Sequence, residues 1–280
     1  MGAAIGEISL SGAVSSIGWR NAIYSFSAFG VMLMLLVWFS LKTKDSDSKK
    51  QNQYQQQHHE SIPFSELLSQ LMQIIKTPYV WLAGIISSLM FLPTSAFAEL
   101  WGIPYLEKFH NYSPHAASTA SAMIFIGWSF GAPIQGWLSD FFQNRVKVML
   151  FGCIFGSILA SVALFDVNLS YFSVCLILML FGLASSVQVL SFAMVKDIVP
   201  NKMIGTAIAF VNTLTMASGM IMQSGIGQIL DLTWNGIMKN GARFYSIENY
   251  QIAVLIIPAC LIISSIIIFL IKNKTPKNII

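Results

Sequence analysis

Two carboxylates stand inside long apolar runs of this chain, Glu7 and Glu99. An ionisable side chain in hydrocarbon is costly to keep. A carboxylate there can bind a cation, hold a basic group of a solute, or exchange a proton as its hydration changes. Glu7 precedes Trp19 by 12 residues, about 18 Å of helix, which puts it near the midplane of a spanning segment. Glu99 lies in the outer part of its run, close to Trp101 and Pro104. Exposure to an aqueous vestibule or a structural pairing is the alternative reading for each. Gln135, Gln188, Asn212, Gln223 and Gln228 form a second tier. Such groups either hydrogen-bond a solute or hold helices together. By expected depth, Gln188 in ASSVQVLSFA and Asn212 in FVNTLTMASG are the better solute candidates.

A third cluster of charge stands in the stretch GWLSDFFQNRVKVML, from Gly136 to Leu150, where Asp140, Arg145 and Lys147 separate two apolar runs. Other reactive residues point to structure. Cys153, Cys175 and Cys260 fall inside apolar runs without the paired spacing of metal ligands, as small packing side chains do. His58 and His59 sit in a Gln tract, where a solvated linker is expected rather than a metal site. His110 and His115 lie in or beside a loop. A pH-sensing role is open to them, but an exposed position is expected. No nucleophile elbow, no His-Glu-x-x-His and no phosphate-cradling glycine loop occurs, so no enzyme, metal site or cofactor is expected.

The elements that position these groups are set by hydropathy. Only 10% of residues are charged and 55% are hydrophobic, with a mean hydropathy of +0.66. A soluble domain carries about 25% charged residues. Apolar runs near residues 2–19, 21–41, 79–105, 117–139, 147–165, 169–195, 203–230 and 249–271 are each near the ~20 residues that cross a bilayer as helix. They lack the alternation of a barrel strand. The reading is all-α, a polytopic transmembrane bundle of about eight helices. Pro93 and Pro104 predict a kink or break near the ends of the third. Glycine pairs Gly2/Gly6, Gly127/Gly131 and Gly152/Gly156 have the four-residue spacing that lets helices approach closely.

Residues 43–62 are rich in Gln, Ser and charge and are expected to be a disordered linker. The following PFSELLSQLMQIIK spaces Phe64, Leu67, Leu68, Leu71 and Ile74 or Ile75 as a short amphipathic helix on the membrane surface. With the linker cytoplasmic, alternate loops divide Lys and Arg twelve against four, as the positive-inside rule requires. That orientation places the C-terminus on the same side. It also accounts for the net charge of +4 without a nucleic-acid partner. The first run has no charged region before it and no signal-peptidase site after it, so it reads as part of a larger membrane domain rather than a secretory signal.

GWLSDFFQNRVK resembles the signature loop of the major facilitator superfamily, roughly G-x-L-S/A-D-R/K-x-G-R-R/K, which joins the second and third helices of each six-helix half. WGIPYLEK, GTAIAFVN and IGWRNAIY are similar to stretches at the seventh helix, the eleventh helix and the turn between the fifth and sixth. The wording of these motifs looks closest to the lysosomal dipeptide transporter branch and its bacterial relatives. The resemblance implies helices five to twelve of an incomplete twelve-helix fold. Residues 1–42 would be the last two helices of the N-terminal bundle, 43–78 the cytoplasmic linker, and 79–280 the C-terminal six-helix bundle.

It further implies alternating access for a small solute, with or without a coupled proton, in a cell membrane. Glu7, Glu99, Gln188 and Asn212 then become cavity candidates. Gly136, Asp140, Arg145 and Lys147 become a gating loop in which Asp140 caps the eleventh helix and pairs with Arg145. Phe141 and Gln143 depart from the usual basic residue and glycine, so a weaker latch is expected. The rival expectation is a truncated, transport-inactive or partner-dependent fragment, for which a complementing N-terminal fragment would supply the other cavity wall.

Overall fold

The computed structural model describes residues 2–44, 63–239 and 241–272. Most of the polar linker, with His58 and His59, lies outside the described residues. The described chain divides into two compact units, Ser9–Ser69 and a larger one of Met1–Ile8 with Gln70–Ile280. The chain begins with α1 (Gly2–Ile17) and α2 (Trp19–Lys44), separated at Gly18, whose φ of 79° is a conformation that glycine adopts without strain. Among the described residues, seven helices are long and apolar enough to cross a membrane, where the sequence predicts eight. The difference is α1, whose 16 residues rise only about 24 Å.

The linker's end forms α3 (Phe64–Ile75), with Phe64, Leu67, Leu68 and Ile75 of the predicted face exposed, Leu71 half-buried, and Met72, outside that set, exposed as well. Its last turns are anchored. Ile74 is buried, and Thr206 donates to the Gln70 side chain at 3.0 Å. Six spans follow. The first is composite: α4 (Pro78–Ala96), a wide π turn (Phe97–Trp101) and α5 (Gly102–Phe109). The predicted break thus falls between Pro93 and Pro104. Next come α6 (Pro114–Phe142), α7 (Arg145–Phe165) and α8 (Tyr171–Ser185), the last continued through a 3-10 turn (Ser186–Gln188) into α9 (Val189–Ile198). A second 3-10 turn (Asn201–Met203) opens α10 (Ile204–Leu232). A two-stranded hairpin, β1 (Met238–Lys239) with β2 (Ala242–Arg243), precedes α11 (Ile247–Val254) and α12 (Ile256–Lys272).

Starts and stops follow local chemistry. Proline opens α4 and α6 at Pro78 and Pro114, where a missing N–H costs nothing. Side chains of Ser113, Asn144, Ser170 and Ser246 accept hydrogen bonds from the first turns of α6, α7, α8 and α11. Within the larger unit α6 packs chiefly on α8, α4 on α10, and α7 on α12. The core divides accordingly, with Tyr105, Ile124, Leu178 and Phe181 at one end and Ile86, Met149, Cys153 and Val187 at the other.

Two of the glycine pairs grip a single helix. A Cβ on Gly127 would lie 1.8 Å from the Met179 carbonyl oxygen, and one on Gly182 would lie 2.0 Å from that of Ile124. The α6–α8 approach is therefore backbone against backbone. Gly152 and Gly156 on α7 meet Val187 and Ala184 from another side. Gly6 has nothing within 4 Å of its would-be Cβ.

His110 departs from its expected exposed position. It is half-buried, stacked on Tyr112 and edge-on to Phe109, and its Nε2 has no described partner. Burial holds its pKa below the usual histidine value, against the pull of the Ala163 carbonyl and Asp166. His115 is exposed, as expected. Cys153 and Cys260 are buried among apolar side chains, and all three cysteines are free.

Adding one methyl at the α6–α8 contact tests this packing. Gly182→Ala should lower the thermal unfolding midpoint of the purified chain by several degrees. Gly205→Ala, whose Cβ would meet open space, should hold or raise it, since alanine gains about 1 kcal/mol of helix propensity. Equal midpoints for the two variants would show that the contact is looser than described.

Candidate functional site

The carboxylate of Glu99 is built into a small polar cluster. Span Pro78–Phe109 has 32 residues, and Glu99 lies about 15 Å of helix from its Phe109 end. It occupies the π turn, a local widening that often marks functional positions. Ser95, one turn earlier, donates to Glu99 Oε2 at 2.8 Å, and Gln223 Nε2 on α10 donates to the same oxygen at 3.0 Å. Gln223 Nε2 also lies 3.1 Å from Ser95 Oγ, and Trp101 Nε1 donates to the Gln223 carbonyl at 3.0 Å. Both carboxylate bonds fall on Oε2, and Oε1 has no partner among the described residues. Glu99 itself is exposed.

Two glycines make this arrangement possible. A Cβ on Gly219, one turn before Gln223, would meet Ser95 Oγ at 2.6 Å, so α10 reaches α4 only because the position is bare. A Cβ on Gly102 would meet the Phe97 carbonyl at 2.5 Å, where the wide turn closes.

The other candidates separate. Gln188 is buried, and its Nε2 donates to Ser87 Oγ at 2.7 Å. Ser87 and Thr215 share a hydrogen bond of 2.8 Å, so this chain ties the α8–α9 turn to α4 and α10. Gln188 therefore serves here as an internal staple. Gln135 does likewise, donating to the Leu183 carbonyl at 3.0 Å. Asn212 is exposed on the α10 face that also carries Ala209, Thr213, Met216 and Met220. Gln228 is exposed further along the same helix. Glu7 falls within α1, and its side chain lies outside the described residues.

At the other end, the signature turn is short and well capped. Gln143 closes α6 in the left-handed conformation, φ 47° and ψ 31°, which a glycine would adopt without strain. Its own amide compensates by donating to the Asp140 carbonyl at 2.5 Å. Asn144 then caps α7 by accepting from Lys147 N at 2.9 Å. Arg145 donates to the Asp197 carboxylate near the end of α9, and to the Ala193 carbonyl at 3.0 Å.

The expected Asp140–Arg145 pair is thus replaced. Arg145 turns across to α9, because a carbonyl and a carboxylate on successive turns of that helix satisfy two of its donors at once. Asp140 is exposed, with no side-chain partner among the described residues, and it does not cap α10. Phe141 stacks on Trp137 with ring centroids 5.4 Å apart, an aromatic pairing where a basic residue was expected. Gly136 has nothing within 4 Å of its would-be Cβ. Lys147 is exposed.

The structure brings Gln223 to Glu99 and Asp197 to Arg145, two pairings that the sequence analysis does not contain. A usable signal existed for Gln223. Ser95 and Glu99 share a helix face at four-residue spacing, and so do Gly219 and Gln223.

The chain matches the family model described as Major Facilitator Superfamily, over residues 1–222 and again over 100–279. No curated protein matches it.

A double-mutant cycle tests the Arg145 pairing. Arg145→Ala and Asp197→Ala should each lower stability by about 0.5–1 kcal/mol in detergent denaturation, and together by no more than the larger single effect. Arg145→Ala combined with Asp140→Ala should be additive. Coupling to Asp140 instead of Asp197 would refute the pairing.

Proposed function

We propose that this chain, which belongs to the major facilitator superfamily, carries a small solute across a cell membrane by alternating access, with Glu99 as its proton-exchanging group. The carrying observation is the half-satisfied carboxylate inside a membrane span, with Oε2 held by Ser95 and Gln223 and Oε1 open. Two neutral donors fix the position of the group without neutralising its charge. A proton or a basic group of the solute at Oε1 would neutralise it. Glu7, the other carboxylate within an apolar run, is proposed as a second such group.

The solute class proposed is a small peptide or similar organic molecule, on the resemblance to the dipeptide-transporting branch. Such a molecule presents an ammonium to Glu99, while Asn212 and its neighbours on the exposed α10 face offer further contacts. The linker, the Gln143–Asn144 turn and the C-terminus are proposed to be cytoplasmic, because the basic residues concentrate there. Residues 79–280 then act as one six-helix bundle and residues 1–42 as the last two helices of the N-terminal bundle. The Arg145–Asp197 pair serves as the cytoplasmic latch. Asp140 takes up its own partner in another state of the cycle.

A second reading is favoured by the breadth of that α10 face. Only 22% of the residues in an apolar 18-residue stretch of the Asn201–Leu232 span are buried, and Asn212, Met216 and Met220 are exposed. On this reading helices from a partner polypeptide cover the face, and transport needs both chains.

Reconstitution decides between them. Vesicles holding the purified chain alone should take up labelled dialanine when the outside is made acid, with internal acidification read from a trapped pH dye. Glu99→Gln should abolish the acidification while solute exchange without a gradient persists. Gln223→Ala should weaken coupling without abolishing it. Acidification unchanged in Glu99→Gln would sink the proton assignment. Uptake that requires a co-expressed chain of further helices would establish the second reading.

A further inference from the structure

A groove at the polar-turn end of the bundle lies apart from the Glu99 cluster and borders the signature turn at Lys147. It runs between the end of α6, the first half of α7 and the end of α8, with a volume of about 500 Å³. Leu138, Phe142, Val148, Phe151, Phe155 and Leu183 line it, and its one charged lining residue is Lys147. The amide of Gln135, also in the lining, is already committed to the Leu183 carbonyl. From Lys147 to Phe155 the helix rises roughly 12 Å, so the groove leads from a cation at the span's end well into the apolar zone.

The surroundings indicate what medium the groove faces. Phe142, Phe151 and Phe155 are 58%, 70% and 37% exposed, a degree of aromatic exposure suited to lipid rather than water. Trp137 and Phe141, stacked on each other at the end of α6, are exposed as well. Such rings gather where hydrocarbon meets headgroups. Lys147 has no carboxylate partner among the described residues, whose two ion pairs are Arg145–Asp197 and Arg243–Asp231. It also stands in the first turn of α7, where the helix dipole adds to the positive potential.

We propose that this groove binds an anionic phospholipid, one acyl chain lying along Phe151 and Phe155 and the phosphate resting on the Lys147 ammonium. Apolar walls with a single rim cation match a molecule that is a long hydrocarbon with one terminal negative charge. A transported peptide would leave its amides unpaired along these walls. A second copy of the chain would leave the lysine without a partner unless it brought an acid of its own.

The test uses the purified full chain in detergent, mixed with phosphatidylglycerol or phosphatidylcholine of identical acyl chains, with bound lipid counted by native mass spectrometry. Phosphatidylglycerol should be retained about fivefold better, the preference one lysine confers toward an anionic headgroup. Lys147→Gln, at an exposed position that leaves the core intact, should equalise the two lipids. Leu138→Trp, which fills the groove, should reduce retention of both. A preference that survives Lys147→Gln, or retention untouched by Leu138→Trp, would overturn the proposal. So would full competition by soluble glycerol phosphate, which would make the site one for a free anion. A dimer that Leu138→Trp dissociates would give the groove to a second copy.

Discussion

The contact of Gly127 with Met179, returned by Gly182 on Ile124, brings two peptide backbones within a distance that no side chain permits. In hydrocarbon, water expulsion does not drive helices together, so close van der Waals approach and hydrogen bonds must hold them. Once α8 is seated against α6, and Gly152 and Gly156 seat α7 on it, the turn that ends α8 is fixed in space. That turn carries Ser185 and Gln188. Ser185 bonds Thr94 at 3.1 Å and Gln188 bonds Ser87, so α4 takes its register from α8. Thr215, bonded to the same Ser87, passes the register on to α10. The meeting of Glu99 and Gln223 follows from this sequence of contacts. A shift of α8 would be felt at Oε2 of the carboxylate without any residue of the cluster being changed.

The charged end of the bundle obeys a different constraint. Arg145 opens α7 and Asp197 stands in the last turn of α9, and each opposes the dipole of its own helix. Pairing them offsets two local penalties at once, which gives each a reason to prefer the other over a nearer partner. Yet the side chains remain 34% and 41% exposed, and such pairs contribute about 0.2–1 kcal/mol. A contact of that size orders the end of the bundle without locking it. In the alternating-access cycle proposed above, a latch would be broken and remade at each turnover, and a weak pair would suit that task better than a buried one.

The fold was largely legible because membrane helices report themselves by composition and length. The spans between residues 78 and 271, the break between Pro93 and Pro104, the amphipathic α3 and the gripping glycine pairs were all readable from local pattern. The length of α1 was not, since apolar residues continue past Ile17 and Gly18 alone marks the stop. The site was less legible for a physical reason. Glu99 and Gln223 are 124 positions apart, and Arg145 and Asp197 are 52. Periodicity locates a residue on a helix face, but it does not say which other helix that face meets. Gln188 shows the same limit from the other side. Depth in a span made it a solute candidate, and its position against Ser87 made it a staple.

The wide turn at Phe97–Trp101 is where these constraints collide. The register of α4 is set by Ser87 and Thr94. The register of α5 is set independently, by burial of Tyr105 and Leu106 and by the Tyr105 hydroxyl donating to the Leu164 carbonyl. Proline at 93 and 104 removes two backbone donors and so weakens the helix on both sides of the junction. One extra residue in a helical turn rotates the downstream helix by about 100°, enough to reconcile the two registers without breaking the span. Gly102 accommodates the result against the Phe97 carbonyl. Glu99 therefore sits at the junction of the two registers, with its carboxylate tied to a neighbouring helix through Gln223. A carboxylate so placed senses relative motion of α4 and α10 directly. That is the mechanical coupling the proposed proton-linked cycle would need.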